Sequence, residues 1–344
     1  MKKTTIALLT AAAMGTSGAV MAADHSPEFS GRVNLDIQNI EGESTSFTRG
    51  NADRFEVSGT GDLAAGMTGR YFLRLQEGGA STVKGGGDIG DDDAVTGVTG
   101  ADNFTKAFYA VSGEFGEVLF GRDDDIVYKF VGVRTDVPYA NIGGAADSAA
   151  SSDTTFDTNV SLQYQLSVDV LTFGAYVDTA DDFTTAGAAG EPETVTTKDG
   201  SGFNNYQLGV QGDFGMASAG LVFSDSDYQG RDSELAFGVT LDLDVATISA
   251  TVRDTSLDNT PVSVFGALPL QNGLTAYAAY GDDDFAIGSN FLVGLSADLG
   301  GGFVTYAEYV SDGVAAGDDR DGSGNEIAAS TDNSGFVIGG QFSF

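Results

Sequence analysis

A chain of 344 residues with 16 basic and 50 acidic side chains, a formal charge of −34, is a poor partner for nucleic acid and suits cations or a hydrated polar surface. With no Cys and one His, His25, the usual zinc centres and His-assisted nucleophiles cannot be assembled within it. Its length fits two soluble domains or one large all-β structure and does not choose between them.

Residues 1–22 read as a signal peptide. Lys2 and Lys3 give the charged start, Ile6 to Met14 a short apolar core, and Val20, Met21 and Ala22 the residues ahead of a cut before Ala23. The core is too short for a spanning helix, and no later run approaches the roughly 18 consecutive apolar residues that one needs. Loss of Lys2 and Lys3 leaves 14 basic and 50 acidic residues, a charge of −36. Without Cys an exported chain has no disulfides, so hydrogen bonding and burial must hold it together.

From Glu28 the sequence alternates. Phe29, Gly31, Val33, Leu35 and Ile37 form one face, and Ser30, Arg32, Asn34, Asp36 and Gln38 the other. Sixteen such strands are predicted, at about 27–40, 52–63, 67–77, 104–113, 117–124, 158–168, 170–181, 204–214, 217–227, 233–243, 245–256, 260–271, 274–283, 290–299, 303–312 and 334–344. Short turns near Ala65, Glu114, Asp169, Gly215, Asp244, Asn272 and Gly300 alternate with uneven connections, among them acidic, Gly-rich stretches at 78–103, 182–203 and 313–333. Short-long alternation and an even strand number predict an up-and-down outer-membrane barrel. Charges keep to one face of nearly every strand. A basic side chain facing lipid near the midplane costs roughly 2–4 kcal/mol, so the charge-free face meets lipid and the other meets water.

The longest interruption follows the hairpin of Phe104 to Val111 and Glu117 to Arg122. About 35 residues, 123–157, lack a strand pattern, and a connection of that length is expected to fold back into the barrel and narrow its pore. The final run places Phe336, Ile338, Phe342 and Phe344 on one side and ends on an aromatic.

On these features the chain resembles a Gram-negative general porin of the type found in alphaproteobacteria. The signal peptide, the hairpin of Phe115, Gly116, Glu117, Val118, Leu119, Phe120, Gly121 and Arg122 before a long third loop, and the terminal Phe344 carry the likeness, which covers essentially the whole mature chain, 23–344. It implies a 16-stranded antiparallel transmembrane β-barrel in the outer membrane, with the third loop, about 123–157, inside the pore. It also implies a homotrimer, contact with outer-membrane lipid and lipopolysaccharide, and reading of the Phe344 strand by the barrel assembly machinery. The lack of Trp departs from the pattern and leaves Tyr and Phe for the aromatic girdles.

The candidate pore residues follow from strand parity. Arg32, Arg54, Arg70, Arg74, Lys106 and Arg122 are assigned to the inner face of the first five strands. In one reading they are solvated lumen positions that neutralise Asp36, Glu56 and Asp62. In the other they form a basic wall facing an acidic third loop at Asp123, Asp124, Asp125 and Asp136, which sets a transverse field that orients polar solutes and excludes apolar ones. The resemblance supports the second reading at Arg32, Arg54, Arg70 and Arg122. Inward acids at Asp178, Asp213, Glu234, Asp242, Asp298 and Glu308, with the overall charge, predict a moderate preference for cations.

Acid clusters at Asp88 to Asp93, Asp282 to Asp284 and Asp318 to Asp321 offer hard oxygen ligands. They leave open loosely bound calcium or simply solvated loops, and no cofactor is assigned. Gly85, Gly86 and Gly87 lack the Lys and Ser/Thr of a phosphate loop. The leading expectation is a passive channel for ions and small hydrophilic solutes. A substrate-specific porin would need an aromatic track, for which Phe72, Phe108, Tyr128 and Phe130 are candidates but form no clear run. The alternative of another class is a secreted, calcium-stabilised soluble β-protein with an adhesive or surface-structural role, which would have to cover sixteen apolar strand faces without a second layer.

Overall fold

The computed structural model describes residues 27–40, 45–48, 53–76, 104–136, 160–178, 182–185, 194–197, 205–226, 233–254, 260–283, 288–313 and 334–344. The signal peptide assigned to 1–22, His25, the acid clusters at 88–93 and 318–321, and the part of the third loop from 137 to 157 lie outside them.

Nearly all of the described chain is strand: β1 (Glu28–Ile40), β2 (Ser46–Thr48), β3 (Arg54–Asp62), β4 (Thr68–Gln76), β5 (Phe104–Gly113), β6 (Gly116–Arg122), β7 (Ser161–Val168), β8 (Leu171–Asp178), β9 (Asp182–Thr185), β10 (Thr194–Thr197), β11 (Asn205–Asp213), β12 (Ala217–Ser226), β13 (Glu234–Leu243), β14 (Ala246–Asp254), β15 (Val262–Pro269), β16 (Leu274–Asp283), β17 (Gly288–Gly300), β18 (Phe303–Gly313) and β19 (Gly335–Ser343). One short helix, α1 (Ile126–Phe130), follows β6. β2 and β3 both pair with β1, at Asp36 to Gln38 and Glu28 to Arg32 respectively, and so make two pieces of one stave. β9 and β10 pair only with each other. The other strands run antiparallel to their neighbours, and β19 returns to β1 with Asn34 opposite Gln341. The result is a closed barrel of sixteen staves. Its seam ends on the last residue, where Gly31 N–H donates to Phe344 O at 3.0 Å and Phe344 N–H to Gly31 O at 3.1 Å.

The two faces separate as the alternation requires. Phe29, Leu35, Leu208, Phe237, Phe291 and Ile338 are exposed, while Asn34, Asp36, Ser161, Gln163 and Gln207 on the opposite parity are buried. Exposed apolar side chains around a closed sheet are the signature of a lipid-facing wall. Aromatic pairs mark both ends of that wall: Phe291 and Phe336 flank Tyr309 with centroids at 5.9 and 4.9 Å, and Phe303 and Phe342 stack at 4.3 Å near the short turns. No helix among the described residues is long and apolar enough to cross a membrane; the strands do so.

Three elements depart from the sequence reading. The β9–β10 hairpin lies in a stretch read as loop, β2 in a connection, and α1 in the segment without strand pattern. The first two are built from strands of only three or four residues, too short to show an alternation. Three of the acids expected in the lumen instead build the short turns: exposed Asp213 and Asp298 accept the N–H of Gly215 and Gly300 at 2.9 and 2.8 Å, and exposed Asp242 accepts the Thr247 hydroxyl at 2.8 Å.

Candidate pore constriction

The segment Asp123 to Asp136 leaves β6 and runs along the inner face of the wall from β7 to β14. Asp125 caps α1 by accepting the Tyr128 N–H at 2.6 Å. A five-residue helix has no stability of its own, so tertiary contacts must hold it. Ile126, Val127, Phe130 and Val131 are buried against Tyr176, Val222 and Ala236. The wall is lowered to receive them: a Cβ at Gly174 or Gly209 would sit within 3 Å of Ile126 and Phe130 side chains, and one at Gly220 would overlap the Phe130 carbonyl. Gln207 Oε1 accepts from both Ile126 and Val127 N–H at 2.8 and 3.1 Å, and its Nε2 donates to Asp125 Oδ2 at 2.8 Å. Further on, Arg134 donates to the Phe130 carbonyl and to Ser218 at 2.8 and 2.6 Å, and Thr135 bonds Thr251 at 3.1 Å.

A cluster of basic side chains stands on β1, β3, β4 and β5, and its Lys106 reaches the segment. Arg32 and Arg54 are directly opposite in the β1–β3 register. Glu56 lies beside them, 3.1 Å from Arg54 and 2.8 Å from Arg74, and also accepts the Ser30 hydroxyl at 3.1 Å. Arg70 makes a two-pronged pair with Glu117 at 2.8 and 2.6 Å and lies 4.8 Å over the Phe108 ring. Phe72 stacks on Phe108 at 5.5 Å, with Arg74 5.5 Å over Phe72. Lys106 bonds Asp124 and lies 3.4 Å from Asp123, whose other oxygen is 2.7 Å from Lys129. Lys129 and Gln163 tie the segment to β7, through a 2.6 Å bond between them and a 3.0 Å bond from Gln163 to the Asp124 carbonyl.

The predicted residues therefore divide. Arg32, Arg54, Arg70, Arg74 and Lys106 share the wall with one another, and Asp123, Asp124 and Asp136 lie on the segment facing it. The contact between the two sides is direct at Lys106, which bonds Asp124 and lies 3.4 Å from Asp123. Asp125 belongs elsewhere. It is fully buried at the helix start against β11, so it holds the segment and does not line the opening. Arg122 closes β6 opposite Ala107, one residue after Gly121 with its φ of 133°. Burial is the largest influence on Asp123 and opposes its ionisation, yet Lys129 and Lys106 together outweigh it and hold the carboxyl below its ordinary range. Burial pushes Asp125 up against the hydrogen bonds of Tyr128 N–H and Gln207.

Sequence reasoning named Glu56 only as a neutraliser and missed Glu117, Lys129 and Gln207. Glu117 was within reach, since the turn at Gly113 to Gly116 fixes Ser112 opposite it and places it on the face of Arg70. Gln207 carried no signal. Among the described residues no group of three or more acids or His is placed to hold a metal. The acid run at 282–284 has only its first two residues in the described chain, where Tyr280 donates to Asp282 at 3.3 Å.

Solved barrels share this architecture. A loop-deletion form of OmpT from Vibrio cholerae superposes with a TM-score of 0.60 at 13% identity, over 93% of this chain and 99% of that one. The anion-selective porin from Comamonas acidovorans gives 0.59 at 16%, over 93% and 100%. A mutant of the Rhodopseudomonas blastica porin gives 0.57 at 15%, also over 93% and 100%. No curated protein matches the sequence. The family model described as Gram-negative porin matches residues 9–321. The chain thus belongs to the Gram-negative porin family and forms a channel of the outer membrane.

Proposed function

We propose that this channel passes ions and small hydrophilic solutes by passive diffusion through an opening between the Arg32, Arg54 and Arg74 wall and the Tyr128, Asp124 and Asp136 side of the third loop. The observation that carries the reading is a guanidinium cluster on β1, β3 and β4 beside Lys106, which bonds Asp124 of a segment seated on the far wall. Opposed charges across a narrow, wet opening let polar solutes reorient and penalise apolar ones. Selectivity is moderately cationic, because a net charge of −34 over the chain attracts cations toward a mouth whose local charges nearly balance. The working form is a homotrimer, as in the trimer form of Vibrio cholerae OmpT. The outer surface meets lipid and lipopolysaccharide, the Phe344 strand is read by the assembly machinery, and no cofactor takes part.

The test is the reversal potential and conductance of purified protein in a planar bilayer under a KCl gradient. Openings in steps of three with a cation-side reversal are expected. Substituting Arg54→Ser with Arg74→Ser should raise both conductance and cation preference. Unchanged values in that double variant would remove these residues from the opening.

A further inference from the structure

We propose that Gln207, a wall residue on β11, is the positioning residue that sets the bore of the channel by clasping the start of α1. The inference rests on the constriction reading above and adds what holds one side of it in place. Gln207 is 0% exposed, and the direction of its amide is fixed by chemistry: an oxygen that accepts two backbone N–H groups cannot be exchanged for the NH2. Its NH2 must therefore point at Asp125 Oδ2. The other Asp125 oxygen already accepts the Tyr128 N–H, so both carboxylate oxygens receive donors. Four groups thus fit in one way only, and any added donor at residue 125 opposes one already there.

The geometry around the clasp gives it leverage. Gly209, two residues along the same face of β11, and Gly220 on β12 leave the room that Ile126 and Phe130 occupy. Side chains there would push the segment toward the basic wall. The contact joins residues about 80 apart in sequence, and the strand it uses lies on the far side of the pore from β1 and β3. A polar wall residue that never touches the permeating ion thereby fixes where Tyr128 and Asp136 stand. The charged groups nearby are Asp124 on the segment itself and Arg253 on β14, which is paired with Glu234 on β13. They bias the ionisation of Asp125 but do not alter the donor and acceptor match.

Single-channel recording tests this in Gln207→Leu, Asp125→Asn and the double variant Asp125→Asn with Gln207→Glu. Each single change leaves a buried donor opposed or unpaired, so time spent in new conductance levels should rise about tenfold over the native channel. In the double variant the new carboxylate at 207 accepts the Ile126 and Val127 N–H groups and the Asn NH2, and the native level should return. Heat-modifiability in detergent identifies any variant that fails to fold, and if Gln207→Leu fails, Asp125→Asn and the double variant decide. Native recordings from both single variants would overturn the clasp, as would a folded double variant that stays as noisy as Asp125→Asn. If those variants are silent while Arg54→Ser with Arg74→Ser still shifts reversal, the clasp alone is refuted. If that control is silent too, the constriction reading falls with it.

Discussion

Replacing Glu56 by Gln removes the carboxylate shared by Arg54 and Arg74 while keeping the side chain's size and its acceptor for Ser30. The substitution leaves two guanidinium groups, with Arg32 beside them, without the carboxylate that both contact. For a permeating ion about 8 Å from the lost charge, Coulomb's law in water gives about 0.5 kcal/mol before screening. The effect has opposite sign for cation and anion, so it enters the permeability ratio twice. With a Debye length of about 10 Å at 0.1 M salt the K⁺/Cl⁻ ratio should fall about twofold, and with about 30 Å at 0.01 M about fourfold. Reversal potentials in KCl gradients centred on those two concentrations measure both numbers. An unchanged ratio at both would show that Glu56 lies outside the ion's path. An equal shift at both would point to a change of pore shape, since only a through-space charge effect grows as salt is removed.

Three more outcomes are expected. At Gly31 an added side chain would meet the Phe344 ring and lie 2.8 Å from the Arg54 carbonyl, so Gly31→Val should block seam closure and lower the yield of heat-modifiable barrel on refolding; a native yield would refute the tight fit. Tyr306→Phe removes the hydroxyl that reaches over Gly339 to Asp36 and bonds Asn34 at 3.0 Å, and should cost about 1–3 kcal/mol by thermal unfolding in detergent. The Asp123 carboxyl is depressed on folding, so its contribution is complete above the ordinary carboxylate range and is lost only as pH falls through the lower folded value. Conductance should therefore stay constant from pH 7 to pH 5, and Lys129→Met should bring the onset of change to higher pH; loss of the native level already at pH 6 would contradict the lysine anchorage.

The barrel was legible because lipid imposes a rule on every strand. A charge on the outer face is costly wherever it occurs, so parity could be read strand by strand, and β1, β5 and β16 follow it to within a residue. The constriction obeys no such rule. The basic cluster could be picked out because Arg32, Arg54, Arg70 and Arg74 sit on strands, where parity can be read. The partners were not legible. Asp125 looked like one more acid in a run of three, and its burial against Gln207 depends on where the chain goes after β6, which no periodicity records.

The same geometry alters what the overall charge can mean. Asp123 and Asp124 are engaged by Lys106 and Lys129, Glu117 by Arg70, and Glu56 by Arg54 and Arg74. On the proposed reading these groups, with Arg32 and Asp136, put six cations and five carboxylates about the opening among the described residues, in a chain whose formal charge is −34. On the proposed reading the net negative charge draws cations toward the channel, an effect that salt screens, while these nearly balanced groups sort ions by small local differences. A wall close to balance is one in which a single charge decides the sign, which is why removing Glu56 should move selectivity.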